Sequence, residues 1–160
     1  MQSFEHFVIT RFNLPIRDSS TRWMGETRGL DPNWLSHRFE LFEHFCLRSV
    51  ASQTDKDFTW LVLFDSRTPE PFATRATSYR LSNYQPVFGS ALQTYEEFLN
   101  TLNGQLTGRV SSDYLATTRL DNDDAIAVDF IGQIHRNIVL EDNVFLNPAY
   151  GYDLYRDRIS

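Results

Sequence analysis

Asp121-Asn122-Asp123-Asp124 packs three carboxylates into four positions. A hard divalent cation such as Mg²⁺ or Mn²⁺ takes carboxylate and phosphate oxygens as ligands. Bound there, it would screen a diphosphate and act as a Lewis acid on a departing phosphate group. Two carboxylates one residue apart at the end of a strand can face the same crevice. Asp123 is therefore the leading metal ligand. Asp121 would reach the cation through water or hold a ribose. Asp124 is shared between the cation and the cap of a following helix, where a carboxylate also suits the helix dipole. Capping does not account for three crowded acids, because unneutralised like charges repel. Metal or ligand binding is the preferred reading of the cluster as a whole.

Two rival motifs fit poorly. A calcium-binding EF-hand loop wants Asp or Asn at its fifth position and Gly at its sixth. Counting from Asp121, those places hold Ala125 and Ile126. A phosphoaspartyl phosphatase places its acidic motif after an apolar first strand, whereas this motif comes late and follows the polar run YLATTRL.

The cluster needs elements to position it. FEHFVITRF (Phe4–Phe12) is rich in β-formers and is ended by Asn13-Leu14-Pro15. Residues 16–33 are polar with Gly25, Gly29 and Pro32, and read as a long loop of the kind that is often functional. Asp31 as N-cap and Pro32 at the first helical position start a helix to about Ser52, with Leu35, Phe39, Phe42, Phe45/Cys46 and Val50 at helical spacing. FTWLVLF (Phe58–Phe64) is nearly continuous in apolar residues, as in a strand buried on both faces of a parallel sheet. A short helix over 72–81 and a strand over Tyr84–Phe88, weakened by Pro86, follow. Leu92, Tyr95, Leu99, Leu102 and Leu106 form a helical stripe, with Thr94 to Glu97 as a capping box and Ser90 to Gln93 as its competitor. Tyr114–Leu120 is a strand that leads directly into Asp121. Ala125–Ile138 has the spacing of a helix. Val144–Leu146 and Tyr150–Tyr155 read as short strands.

This alternation predicts one α/β domain over 1–160, with a Rossmann-like, mainly parallel sheet flanked by helices and a short β-hairpin near the C-terminus. Such sheets bind ligands beyond the carboxyl ends of their strands. Arg11-Phe12-Asn13, Asp65-Ser66-Arg67 and Asp121 to Asp124 all fall at strand ends. The fold should bring them to one crevice.

Composition narrows the classes. Thirteen Phe, seven Tyr and three Trp argue against disorder. A net charge of −6 disfavours nonspecific nucleic-acid binding. The single cysteine, Cys46, has no disulfide partner and reads as a core residue. No zinc cluster follows from one Cys and four scattered His. The N-terminus lacks a secretory signal, and no apolar run approaches the roughly 18 residues of a membrane span. A cytoplasmic protein is expected.

At FVITRFN, WLVLFD and TTRLDNDDAIAVDFI the chain resembles the putative rhamnosyltransferase family and, more broadly, GT-A glycosyltransferases. The resemblance runs from about Phe4 to the C-terminus. TTRLDNDDA with the following DF is its most specific piece. It implies transfer of a sugar, such as L-rhamnose, from a nucleoside-diphosphate donor to a saccharide or other hydroxyl acceptor. It also implies Mn²⁺ or Mg²⁺ at a D-x-D motif that Asp121 and Asp123 match. Asp65 matches the place where GT-A enzymes often contact base or ribose. Arg11 and Asn13 sit where the nucleotide commonly docks. The plainer readings are a surface salt bridge for Arg11 and turn formation for Asn13 and Asp65.

Family members are expected to continue past this chain's end, so much of the acceptor side is expected to be missing. A catalytic base is not identified: Asp142 and Asp153 are candidates that read better as exposed turn carboxylates. The alternative to an active transferase is a nucleotide-sugar-binding module without efficient transfer; a third reading is an interaction protein that keeps only the fold. Trp23, Trp34 and Tyr152 are candidates for stacking on a sugar or base, with the core preferred for Trp34. Self-association is the remaining partner reading.

Overall fold

A computed structural model describes residues 3–16, 28–90, 92, 94–106, 110–148, 151–152, 154–155 and 158–159. Its centre is a four-stranded, all-parallel sheet in the order β3-β2-β1-β4. The strands are β1 (Phe4–Arg11), β2 (Thr59–Asp65), β3 (Tyr84–Gly89) and β4 (Tyr114–Arg119). Thr10 pairs with Val62, and Val8 with both Trp60 and Thr118. This register brings all four carboxyl ends to the same side. The chain leaves β1 towards β2 and later returns to pair β4 on the other side of β1. The switch point of the sheet therefore lies between β1 and β4, where ligands of such folds bind. This is the expected α/β, Rossmann-like architecture.

The apolar run of β2 is buried on both faces, as predicted. Trp60, Val62 and Phe64 face a core built with Phe12, Leu35, Phe39, Phe42 and Ile131. Leu61 and Leu63 face the opposite side, against Phe98, Leu102 and Leu106. Burying each of these side chains contributes about 1.5–3 kcal/mol. The indole Nε1–H of Trp60 stays satisfied by donating to the Thr10 hydroxyl at 3.0 Å. Pro86 is accommodated because β3 is an edge strand.

Helix α1 (Pro32–Leu41) starts where the sequence indicates. The Asp31 carboxylate accepts from the backbone N–H of Trp34 at 2.9 Å, and Pro32 opens the helix. It runs through a π-helical turn (Phe42–Cys46) into α2 (Leu47–Ala51). Cys46 is buried there, and burial pushes its thiol up to about 12, which makes it an inert packing residue. Helix α3 (Phe72–Thr77) is shorter than the expected 72–81. Its Arg75 clamps Glu43 on the π turn through two hydrogen bonds of 2.7 and 2.8 Å.

Three expectations are corrected. In α4 (Tyr95–Leu106) the inward stripe is Phe98, Leu102 and Leu106, whereas Leu99 is exposed. Leu92 lies before this helix, bridged to Ile16, so it does not set the helical phase. Thr94 does cap α4, its hydroxyl accepting from the N–H of Glu97. Secondly, α5 spans Phe130–Asn137 and not Ala125–Ile138. Backbone groups that would begin the longer helix have tertiary partners. The Ala127 carbonyl accepts from the Gln53 amide at 2.7 Å, the Val128 carbonyl accepts from the N–H of Thr54, and Gln53 Oε1 accepts from the N–H of Ile131. Thirdly, Val144–Leu146 is exposed irregular chain, with no sheet partner among the described residues. An antiparallel pair near the C-terminus is present as β5 (Leu154–Tyr155) and β6 (Arg158–Ile159); of the expected strand Tyr150–Tyr155, Gly151 and Tyr152 are irregular and Tyr150 and Asp153 lie outside the described residues. No described helix is long and apolar enough to cross a membrane.

Candidate functional site

The carboxyl ends of β1 and β4 are joined by side chains. Leu120 extends β4 by one step, its N–H donating to the Ile9 carbonyl at 3.0 Å. The next four residues form the acidic loop, closed by a hydrogen bond from the N–H of Asp124 to the Asp121 carbonyl. Asn122 is the buried member. Its amide donates to the carbonyl of Phe12 at 2.9 Å and more weakly to that of Arg11 at 3.4 Å. This side chain docks the loop onto the end of β1, beside the switch point.

The three carboxylates are arranged around that anchor. Asp121 is exposed and pairs with Arg119 at 3.1 Å, an ion pair in which the guanidinium is itself 80% exposed. Asp123 pairs with Arg38 of α1 at 3.0 Å. Asp124 has its carboxyl raised above the ordinary range, first by partial desolvation and then by the charges of Asp123 and Asp121. The loop thus holds more negative charge than its own partners relieve. None of these residues caps α5, whose N-cap is Asp129. The capping explanation for Asp124 is removed by the four residues that separate it from that cap.

Arg38 was not singled out by its sequence. It lies on α1 with its guanidinium 5.7 Å from the Trp34 ring centroid. One terminal nitrogen donates to Asp123 and the other to Asn122 Oδ1 at 2.6 Å. Its Nε is buried without a hydrogen-bond partner. Trp34 itself packs against the main core while remaining partly exposed beside this site.

A second group lies at the ends of β1 and β2. The Asn13 side chain is fully enclosed. Its amide donates to the Gly29 carbonyl at 2.9 Å and to the Thr68 hydroxyl at 3.0 Å, and its Oδ1 accepts from the N–H of Asp65 at 3.0 Å. Asp65 is also buried. Its carboxylate accepts from the backbone N–H of Arg67 at 2.8 Å and takes that residue's guanidinium at 3.1 and 2.7 Å. The half-exposed guanidinium of Arg67 is thus the outward member of that pair. Arg11 ends β1 partly buried, on the face of the sheet shared with Ile9 and, across the register, Arg119.

The fold therefore gathers Arg11, Asn13, Asp65 and Asp121–Asp124 at one end of the sheet. The residues that sequence reasoning missed are Arg38 and Thr68; Asn122 and Arg67 lay within the strand-end motifs but had no role assigned to them. Asp142 is exposed in a turn beyond α5, and Tyr152 is 85% exposed. Trp23 and Asp153 lie outside the described residues.

The chemistry of the donor set suits a hard cation shared with a ligand. The available atoms are carboxylate oxygens on one short loop. Among the described residues no group of three or more His, Cys, Asp or Glu is arranged as a ready metal cage.

A family model described as "Putative rhamnosyl transferase" matches residues 5–145. No curated protein and no solved structure matches the chain.

Proposed function

The chain belongs to the putative rhamnosyl transferase family, a family of glycosyl transfer, and from that premise we propose that the acidic loop after β4 binds the diphosphate of a nucleoside-diphosphate sugar together with Mn²⁺ or Mg²⁺. The observation that carries this reading is the seating of Asp121–Asp124 at the carboxyl end of β4, fastened to β1 by Asn122. A D-x-D loop at a topological switch point is where a charged nucleotide ligand of a parallel sheet belongs.

In glycosyl transfer the anomeric carbon loses its bond to the diphosphate oxygen and gains one to the acceptor oxygen. The diphosphate leaves with the bonding pair, and the acceptor hydroxyl gives up its proton. Asp123 and Asp121 would hold the cation, and Asp124 adds charge to the same loop. A bound Mn²⁺ or Mg²⁺ would supply Lewis-acid stabilisation of the departing diphosphate. Arg11 would face the nucleotide from β1. Asp65 would act in concert with Arg67, the exposed member of their pair. Asn13 shapes this wall by holding the ends of β1 and β2 together. The donor sugar is proposed to be L-rhamnose or a related hexose, and the acceptor a saccharide or other hydroxyl compound.

The test is calorimetric titration with uridine, guanosine and thymidine diphosphates, with and without Mn²⁺. At least one nucleotide should bind more tightly with Mn²⁺. Asp123→Ala should abolish that gain while the protein stays folded. A parent protein whose nucleotide binding ignores Mn²⁺ would sink the reading. Turnover with candidate acceptors separates an active transferase from a donor-binding module.

A further inference from the structure

The best-connected residue of the acidic loop lies outside it. Arg38 stands on α1, yet its guanidinium spans Asp123 and Asn122. Asn122 in turn is fixed to the carbonyls at the end of β1. The planar fork of Arg suits a two-point bridge that Lys cannot reproduce. We infer that Arg38 is a positioning residue that makes the carboxylate loop take its cation jointly with a diphosphate rather than alone.

The argument is one of charge and geometry, and it rests on the donor-site reading above. Arg38 holds Asp123 Oδ2, which restricts the way that carboxylate meets a cation. It also cancels part of the loop's charge. Arg119 cancels another part from a far more exposed position, where solvent and salt screen it. Two guanidiniums against three carboxylates leave a weak attraction for a lone divalent ion. A cation that arrives with phosphate oxygens brings its own remaining ligands, and the guanidinium then stands beside negative phosphate. Arg38 therefore penalises the bare ion and favours the ion–diphosphate pair. The effect is a coupling between two ligands, which must be reciprocal: each should tighten the other by the same factor.

A plain anchoring role predicts something different. Arg38 packs near Trp34 and ties α1 to the loop, so its removal would lower stability in any case. Stability alone cannot separate the roles, but ligand coupling can.

The experiment is a set of titrations on the full chain with Mn²⁺ alone, a nucleoside diphosphate alone, and each in the presence of the other. In the parent protein the coupling should be about tenfold or more. In Arg38→Met, Mn²⁺ alone should bind more tightly, because a positive charge has gone, while the coupling should fall several-fold, to what direct contact between cation and phosphate supplies. Arg38→Lys keeps the charge and loses the fork. It should restore the weak binding of Mn²⁺ alone and recover only part of the coupling. The Lys variant also carries the test if Arg38→Met does not fold. Coupling that is unchanged in the variants, with or without a lower Tm, overturns the role of Arg38 and leaves the site reading intact. A parent protein without Mn²⁺-dependent nucleotide binding removes the site reading itself, and this inference with it.

Discussion

His6 Nδ1 and His135 Nε2 lie 3.0 Å apart, joining β1 to α5 near the amino end of the sheet. The bond is the middle of a chain. His135 Nδ1 contacts Asp55 at 2.8 Å, and His6 Nε2 contacts the Thr118 hydroxyl at 2.9 Å. One assignment satisfies every member with both rings neutral. Thr118 donates to His6, His6 donates to His135, and His135 donates to Asp55. A proton added to His6 would meet a buried site beside a second imidazole, against which the charge of Asp55 draws it in. Burial and, after it, His135 accordingly lower His6 to about 4.

This sets a sign for the pH dependence of stability. The unfolded chain binds a proton at His6 near pH 6.5, and the folded chain only near 4. Folding therefore releases a proton between those values, and stability falls as pH drops through the window, by up to about 3 kcal/mol. Denaturant unfolding between pH 4 and 7.5 should show this slope. His6→Leu should be less stable at pH 7, because Thr118 and His135 lose a partner, and its curve should be flatter below 6.5. An equal slope in the two proteins would show that His6 is not the titrating group.

Asn13 should be costly to remove. Asn13→Ala leaves the N–H of Asp65 and the Gly29 carbonyl short of a partner in a buried place, while the Thr68 hydroxyl keeps its bond to the Asp65 carbonyl. Each unsatisfied buried group costs about 1–3 kcal/mol. Relaxation and water entry will recover part of that, so a loss of about 3 kcal/mol is expected in urea unfolding. Asn13→Asp should be worse still, since it sets a second carboxylate beside Asp65 and loses the amide donor. A loss within about 0.5 kcal/mol for Asn13→Ala, the range of an ordinary surface change, would mean that the bracket is redundant.

Local patterns announced the frame of the molecule and stayed silent on its cross-connections. FTWLVLF reads as a strand buried on both faces because it is short, continuously apolar and rich in β-formers, and Asp31-Pro32 marks a helix start by backbone chemistry alone. The place of the acidic loop at a strand end was legible because YLATTRL leads directly into it. By contrast, Ala125–Asp129 carries helical spacing, yet Gln53 takes the backbone groups that a helix would use. Arg38 was invisible because its partner Asp123 is 85 residues away. Nothing within a turn of Arg38 distinguishes it from a solvated helix cation. The burial of Asn13 and Asp65 depends in the same way on residues brought in from Gly29 and Thr68.

Gln53 offers a direct check on that competition. Its amide holds the Ala127 carbonyl and its Oε1 holds the N–H of Ile131, so one side chain fixes the entry to α5. Gln53→Ala should cost about 1–2 kcal/mol, as the buried N–H of Ile131 loses its partner while the Ala127 carbonyl keeps the N–H of Phe130. Hydrogen exchange should quicken at Ile131 and its neighbours before it does in β1 or β2. Unchanged protection at Ile131 would place the control of this segment elsewhere.

Asp124→Asn sets stability against binding. The Asp124 carboxyl is raised by partial desolvation and by Asp123 and Asp121, so its charged form is disfavoured in the folded protein. A raised carboxyl pKa means that stability is lost as pH rises through the folded value, which is the reverse of the His6 case. An amide of nearly the same shape removes that penalty. The side chain is exposed, so the gain at pH 7 should be small, within about 0.5 kcal/mol. The same change takes a charge from the loop proposed to hold Mn²⁺ and should weaken metal-dependent nucleotide binding. Charge crowding kept for ligand binding predicts both effects together, a small rise in Tm and a weaker Mn²⁺ effect. A rise in Tm with metal-dependent binding untouched would remove Asp124 from the metal site and leave Asp121 and Asp123 as its carboxylates.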